Sequence, residues 1–371
     1  MMLFRYILVL FVLHVWSAGC FAAEPMRLNV ESAMVMNLAD GKILFEQDPD
    51  KQIPPASLTK LMTLYLVFDA LESGRLRPDE PVRVSRNAAR MGGTRMHLKA
   101  NDLVTVDDLI QGMAIASAND ACVVIAEHFP VGLKGFVELM NLKARELGMQ
   151  RTHFVNPNGL PAPGQTTTAR DLLQLSAHYL ARYPGSLRLH ATRSFSYKDK
   201  KSENCNRLLG AFPGADGIKT GFVSASGYNI SATAQRGNTR LLAVVLGART
   251  SNIRAMETRK VLEAGFAMID PALAAPNYKP ASCPAPPLAA SDAREPNLDV
   301  VAAGLQREVA ITELDGQPKT PRWLARLKTR MRKTDALWEF CAPRSVFDPN
   351  CHKGYAIIRQ GQIFYAVFPQ L

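Results

Sequence analysis

The chain has 371 residues, 47% of them hydrophobic and 21% charged. That is ordinary globular composition and excludes a disordered, collagen-like or coiled-coil protein. Its 44 basic residues outnumber the 33 acidic ones, for a net charge of +11, which favours anionic surfaces such as a membrane leaflet or an acidic polymer and equally suits a basic soluble protein.

No helix-turn-helix, zinc-finger or aromatic RNA-binding pattern accompanies this charge, so no nucleic-acid partner is expected. Residues 1–23 read as a secretory signal. Arg5 supplies the positive start, and Tyr6 to Trp16 form an apolar core of about eleven residues, short of the about 20 that span a bilayer. A run of mostly small residues follows, from Ser17 to Ala23, broken only by Phe21. Ser17-Ala18-Gly19-Cys20 weakly resembles a lipoprotein acylation site, with Ser17 where a bulky aliphatic residue is expected. An uncleaved anchor is the third reading. All three put the protein outside the cytoplasm, in the periplasm or cell envelope. With Cys20 removed, Cys122, Cys205, Cys283, Cys341 and Cys351 remain. The odd number leaves at least one free thiol, Cys341 and Cys351 are the expected pair, and no spacing fits zinc. No metal or cofactor is expected.

The elements then follow in order. Residues 33–46 predict a hairpin turning at Asp40-Gly41. Leu58, Leu61, Met62, Leu64, Tyr65, Val67 and Phe68 recur at helical spacing and predict a helix over 57–72. Thr105 with Asp108 resembles a capping box opening a helix to about Ala116. Further helices are expected over 121–128, 134–148 and 168–183. Asp216-Gly217 reads as a turn. Tyr228 to Ala234 and Thr239 to Leu246 read as strands joined at Arg236-Gly237-Asn238. A helix over 251–270, capped by Ser251, completes the unit. Strands first and last with helices between imply an α+β fold, an antiparallel sheet flanked by helices with an all-α insert. Residues 24–270 would form this unit. A Pro- and Ala-rich linker, 271–297, leads to a smaller unit, 298–371. Within it, 319–333 carries seven Lys or Arg and no acid, with Trp323, Leu324, Leu327 and Met331 at helical spacing. This is either a basic amphipathic helix touching an anionic membrane or a domain helix with a solvated cationic face. Tyr355 to Phe368 reads as two strands around Gln360-Gly361.

Three short motifs carry the chemistry: Ser57-Leu58-Thr59-Lys60, Ser117-Ala118-Asn119 and Lys219-Thr220-Gly221. Pro54 and Pro55 force a helix to start near Ser57. A serine there sits at the positive end of the helix, whose free amides can stabilise an oxyanion. Lys60, three residues on, shares its face. It can serve as the serine's base if burial or a second cation, such as Lys219, keeps it neutral. A surface Ser and Lys on an amphipathic helix is the plainer reading. Ser117 and Asn119 fall between two helices, where they can relay a proton and hold an amide, or merely cap those helices. Gly221 leaves room for a ligand backbone beside an edge strand, on which Lys219 and Thr220 face a carboxylate.

With these motifs in hand, the chain resembles the low-molecular-mass penicillin-binding proteins, serine-type D-Ala-D-Ala carboxypeptidases with a β-lactamase/transpeptidase-like fold. The resemblance covers residues 28–270. It includes Pro55 to Thr63, Ser117 to Ala121, Asp216 to Gly221, Gly227-Tyr228-Asn229, and Asn158-Gly159-Leu160 through Asp171. It implies that Ser57 is the acylated nucleophile and Lys60 its base. Ser117 would pass the proton to the leaving D-Ala, and Asn119 would bind a substrate amide. Lys219, Thr220 and Arg254 would bind the terminal carboxylate. The amides of Ser57 and Phe222 would form the oxyanion hole. The implied partners are peptidoglycan stem peptides ending in D-Ala-D-Ala, with β-lactams as inhibitors.

Two positions depart from the family pattern. Phe222 replaces a residue that is often polar, and Cys205 interrupts an Asn-x-Asn stretch. A D,D-endopeptidase and a catalytically silent cell-wall-binding protein are the alternatives. A class A β-lactamase is disfavoured because no Glu-x-x-Asn lies between Asn119 and Lys219.

Overall fold

The computed structural model of the chain describes residues 26–274 and four strand segments, 305–308, 336–342, 352–359 and 362–367. The first body opens with β1 (Ser32–Asn37) and β2 (Ile43–Gln47). A helical insert follows: α1 (Lys60–Glu72), β3 (Pro81–Arg83), α2 (Arg86–Ala89), β4 (Leu103–Thr105), α3 (Val106–Ala114), α4 (Asn119–His128), α5 (Gly132–Glu146), α6 (Ala169–Arg182) and α7 (Ser186–Ala191). The chain closes through a small hairpin, β5 (Ser194–Tyr197) and β6 (Lys200–Glu203), then β7 (Ala215–Val223), β8 (Gly227–Arg236), β9 (Thr239–Ala248) and α8 (Ser251–Ile269).

One five-stranded sheet runs in the order β2-β1-β9-β8-β7, with every pairing antiparallel. The first and last strands therefore meet, as expected, and β7 is left at an edge. The sheet divides two cores, and β9 shows why its sequence is apolar almost throughout. Leu242, Val244 and Leu246 face the larger core with Met34 and the helices of the insert. Leu241, Ala243 and Val245 face a second core with Val261, Leu262 and Phe266 of α8. All are buried, and each Leu, Val, Met or Phe among them contributes about 1.5–3 kcal/mol. This three-layer packing sets the edge strand β7 against the turn Ala56–Thr59 that leads into α1.

Local chemistry sets the element ends. Thr105 caps α3 by accepting from the Asp108 amide at 3.1 Å, and its own hydroxyl donates to the Asp108 carboxylate at 2.8 Å. Thr168 caps α6. Helix α8 is capped by Thr250, which accepts from the Ile253 amide at 3.1 Å, and not by Ser251. Helix α4 starts two residues earlier than the periodicity predicts, so Asn119 stands in its first turn. The larger correction concerns Asp216-Gly217. This pair lies inside β7, which begins at Ala215 with a register shift before Gly217. A tertiary contact overrides the turn signal: the Asp216 carboxylate receives Arg240 Nη1 at 2.9 and 2.7 Å.

The C-terminal strands β10 (Leu305–Glu308), β11 (Ala336–Ala342), β12 (His352–Arg359) and β13 (Gln362–Val367) form their own antiparallel sheet. Strands β12 and β13 are the pair expected around Gln360-Gly361, with Arg359 opposite Gln362. The signal segment 1–23, most of the linker, the basic stretch 319–333 and Cys351 lie outside the described residues. Among the described residues, no helix is long and apolar enough to cross a membrane.

Candidate active site

Pro54 and Pro55 do end one segment and start the next, but the start is a tight 3-10 turn, Ala56–Thr59, that feeds α1. Ser57 sits on this turn and Lys60 is the first residue of α1. Ala56 adopts φ +51 to make the turn. Two glycines admit it. A Cβ on Gly159 would fall 1.8 Å from the Ala56 carbonyl oxygen, and one on Gly221 would fall 2.9 Å from the Ser57 amide nitrogen. Gly221 thus makes room for the nucleophile turn itself, a tighter requirement than the ligand approach predicted from the sequence.

Lys60 is fully buried. Its Nζ lies 2.9 Å from Ser57 Oγ, 2.7 Å from Asn119 Oδ1 and 2.6 Å from the Asn158 carbonyl oxygen. Burial pulls its pKa below the usual lysine range, against the opposing pull of Cys122 and Asp120. A neutral amine has two hydrogens and one lone pair. Asn158 O and Asn119 Oδ1 can only accept, and they take the two hydrogens. The lone pair is then left for the Ser57 hydroxyl proton. The Asn119 orientation follows from its amide nitrogen, which donates to the Gly92 carbonyl at 2.8 Å.

Ser117 lies between α3 and α4 with φ +59. Its Oγ receives Lys219 Nζ at 2.9 Å, and the same ammonium reaches the Thr220 carbonyl at 2.9 Å. Lys219 and Thr220 are both buried on β7. Burial, then the nearby Lys60, lowers the Lys219 pKa to about 7. Arg254, in the first turn of α8, is also buried. Its Nη2 donates to the Cys205 carbonyl at 3.1 Å, while its Nε has no acceptor among the described residues. Burial lowers its pKa to about 10. Phe222 is 51% exposed and leans on Tyr228, ring centroids 4.4 Å apart. Cys122 lies buried under the site, where loss of solvent pushes its thiol up to about 11.

The structure brings Ser57, Lys60, Ser117, Asn119, Lys219, Thr220 and Gly221 into one connected cluster. Arg254 and Phe222 flank it without a hydrogen bond to those seven among the described residues. Sequence reasoning assigned no role to Asn158 or Asp120. Asn158 acts through its backbone carbonyl, which no residue type reveals, although the turn-prone run Asn156-Pro157-Asn158-Gly159 marks the place. Asp120 ties the loop between α2 and β4 to helix α4 by accepting from the Met96 and Leu98 amides at 3.0 and 3.1 Å. No cluster of three or more His, Cys, Asp or Glu able to hold a metal occurs among the described residues. The arrangement can activate a serine with a neutral lysine and present two cations to an anion.

A family model described as D-alanyl-D-alanine carboxypeptidase matches residues 20–250. The chain is 37% identical over 265 residues to D-alanyl-D-alanine carboxypeptidase DacC of Escherichia coli K12, covering 68% of this chain and 66% of that one. It therefore spans just under two thirds of that relative's length. Penicillin binding protein 5 of Haemophilus influenzae aligns with TM-score 0.64 and 35% identity over 66% of this chain and 72% of that one. Penicillin-Binding Protein D2 of Listeria monocytogenes, solved in an ampicillin-bound form, aligns with TM-score 0.60 and 34% identity over 65% of this chain and 99% of that one.

Proposed function

The chain belongs to the D-alanyl-D-alanine carboxypeptidase family, and from that premise we propose that it removes the terminal D-Ala from peptidoglycan stem peptides through an acyl-enzyme. The observation that carries this reading is Lys60, buried, with two fixed acceptors and Ser57 Oγ at 2.9 Å.

In the proposed sequence, the Ser57 oxygen attacks the carbonyl carbon of the penultimate D-Ala while its proton passes to Lys60 Nζ. The resulting oxyanion is stabilised by the Ser57 and Phe222 amides. The terminal carboxylate sits against Lys219 and Thr220, with Arg254 beyond. The C–N bond then breaks, and Ser117, linked to Lys219, passes a proton from Lys60 to the departing D-Ala amine. Water, deprotonated by Lys60, hydrolyses the Ser57 ester and releases the shortened peptide. Asn119 holds a substrate amide and keeps Lys60 aimed. A β-lactam would acylate Ser57 in the same way and leave slowly. The ampicillin-bound relative supports that expectation.

We also propose that the protein is exported on residues 1–23 and acts in the periplasm or cell envelope, with or without lipidation at Cys20. The catalytic unit would end near residue 270, and 298–371 would form a separate unit beyond the linker, its stretch 319–333 a candidate for peripheral contact with an anionic membrane.

The test is release of free D-Ala from a D-Ala-D-Ala-ended peptide, with labelled penicillin and mass mapping in parallel. Ser57→Ala should lower turnover by about 10³-fold or more and abolish the adduct. An adduct elsewhere, or an unchanged rate, contradicts the reading. Faster cleavage of a cross-linked dimer than of the monomeric peptide would make the enzyme an endopeptidase instead.

A further inference from the structure

Beside the catalytic cluster lies a cleft of about 210 Å³ between the loop that joins α2 to β4 and the β5–β6 hairpin. Buried Met96 and Phe195 line its wall, and Arg95, His97, Lys200 and Lys201 bring basic groups to it. Three nearby acids are already engaged. Asp120 accepts from the Met96, Leu98 and Ala121 amides, Asp102 holds Lys198 at 2.8 Å, and Lys201 has Glu203 at 2.9 Å. Arg95 and Lys200 have no carboxylate partner among the described residues. Arg95 Nε is shut off from solvent and meets no acceptor there. Leaving such a donor unmet carries a desolvation cost. An anion in the cleft would remove that cost and satisfy both charges.

The cleft is tied to the reaction centre by named bonds. The Asn119 amide nitrogen donates to the Thr94 carbonyl at 2.8 Å, and its side chain donates to the Gly92 carbonyl. Arg95 is the next residue in that loop. Asn119 is assigned to a substrate amide, whereas the terminal carboxylate is assigned to Lys219 and Thr220. The loop therefore borders the part of the peptide that precedes the D-Ala pair. We infer that Arg95 and Lys200 form an anion subsite that reads a free carboxylate on the substrate peptide upstream of its D-Ala-D-Ala end. This rests on the function proposed above and adds a substrate preference to it: acidic stem peptides over their amidated counterparts.

The test uses the full chain and two peptides ending in D-Ala-D-Ala. They are identical except that one carries a free side carboxylate two residues before the pair and the other carries its primary amide. KM and kcat are measured for wild type, Lys200→Gln and Arg95→Gln/Lys200→Gln. Binding of both peptides to Ser57→Ala is measured by calorimetry, with and without the two Gln changes. The double variant should raise KM for the carboxylate peptide about tenfold and for the amide peptide less than twofold. Lys200→Gln alone, on the exposed hairpin, should give the same selective effect at smaller size. The calorimetric Kd should follow the same pattern. Equal weakening of both peptides, or no weakening of either, overturns the subsite. Failure of wild type to release D-Ala from either peptide overturns the proposed function instead, and the calorimetry still decides the subsite.

Discussion

Lys219 Nζ lies 2.9 Å from Ser117 Oγ, although 102 positions separate the two residues. The contact joins the edge strand β7 to the link between α3 and α4, and it holds a buried ammonium between a hydroxyl and a backbone carbonyl. Three distant chain segments thus meet in two hydrogen-bonded groups, one on Lys60 and one on Lys219, joined through the short Ser117-Ala118-Asn119 link. Burial first, and then the nearby Lys60, keeps the Lys219 pKa low.

This coupling has a pH signature. Lys219 titrates near 7, so its charge is complete only below that value. The substrate carboxylate is ionised throughout this range. KM for a D-Ala-D-Ala peptide should therefore rise as pH climbs above about 7. Neutral Lys60 acts in the opposite sense, so kcat should fall toward acid, and kcat/KM should be bell-shaped. Stability follows the same group. Below about 7, Lys219 is charged in both folded and unfolded chains, and the burial penalty is fully present. Between about 7 and 10.5 the folded form sheds its proton first, and the penalty fades. Lys219→Met should therefore be more stable than wild type at pH 6 in urea unfolding, with the gap narrowing toward pH 10. A gap that widens with pH refutes the argument.

The nucleophile turn depends on a glycine outside the catalytic motifs. Gly159 and Gly164 share φ +84, but only Gly159 faces an obstacle, the Ala56 carbonyl oxygen 1.8 Å from where a Cβ would stand, whereas Gly164 faces open space. Gly164→Ala should carry the backbone cost alone, about 1 kcal/mol, with kcat unaltered. Gly159→Ala adds displacement of the turn that bears Ser57. It should cost about 2–4 kcal/mol in all and lower kcat at least tenfold. Equal thermal and kinetic behaviour of the two variants would show that the turn tolerates displacement.

Most of the sheet was legible because its physics is repetitive. The apolar run of β9 reflects burial on both faces, and Asp40-Gly41 marks the β1–β2 hairpin through local conformation alone. Ser57 and Lys60 were legible because two prolines fix where their helix begins. What escaped the sequence depends on partners far along the chain. Asp216-Gly217 carries a strong turn signal, yet Arg240 holds it in a strand. The hairpin β5–β6 is short and polar, so no periodicity betrays it. Asn158 contributes only a carbonyl oxygen, which every residue has. Arg254 was placed by resemblance alone, since nothing in its neighbours distinguishes it from other basic residues of α8.

Arg236 shows how the fold supports the site from behind. It is fully buried at the end of β8, its guanidinium 4.6 Å from the Phe212 ring centroid and 4.5 Å from that of Phe266. It also donates to the Glu263 carboxylate at 2.8 Å and to the Leu273 carbonyl at 2.7 Å. Glu263 is 28% exposed and can be resolvated, so the loss on removing the guanidinium comes mainly from its packing between two rings and its carbonyl acceptors, at about 2–4 kcal/mol. Arg236→Ala should lose about that much in urea unfolding. Arg236→Lys should not restore it, because an ammonium cannot stack between two rings and reach the same acceptors. The site lies across the sheet, so kcat per folded molecule should stay within twofold of wild type.

Asn119→Asp is the sharpest probe of the base. Asn119 Oδ1 is 2.7 Å from Lys60 Nζ. A carboxylate there would favour the ammonium and raise the Lys60 pKa, as an opposite charge at contact distance does. The acid limb of kcat/KM should move to higher pH, and activity should recover partly in alkaline buffer. Asn119→Ala removes the acceptor without adding charge, so it should lower activity at every pH without moving the limb upward. If Asn119→Asp instead loses activity uniformly from pH 5 to 10, the titration of Lys60 does not govern the rate, and its role is positional.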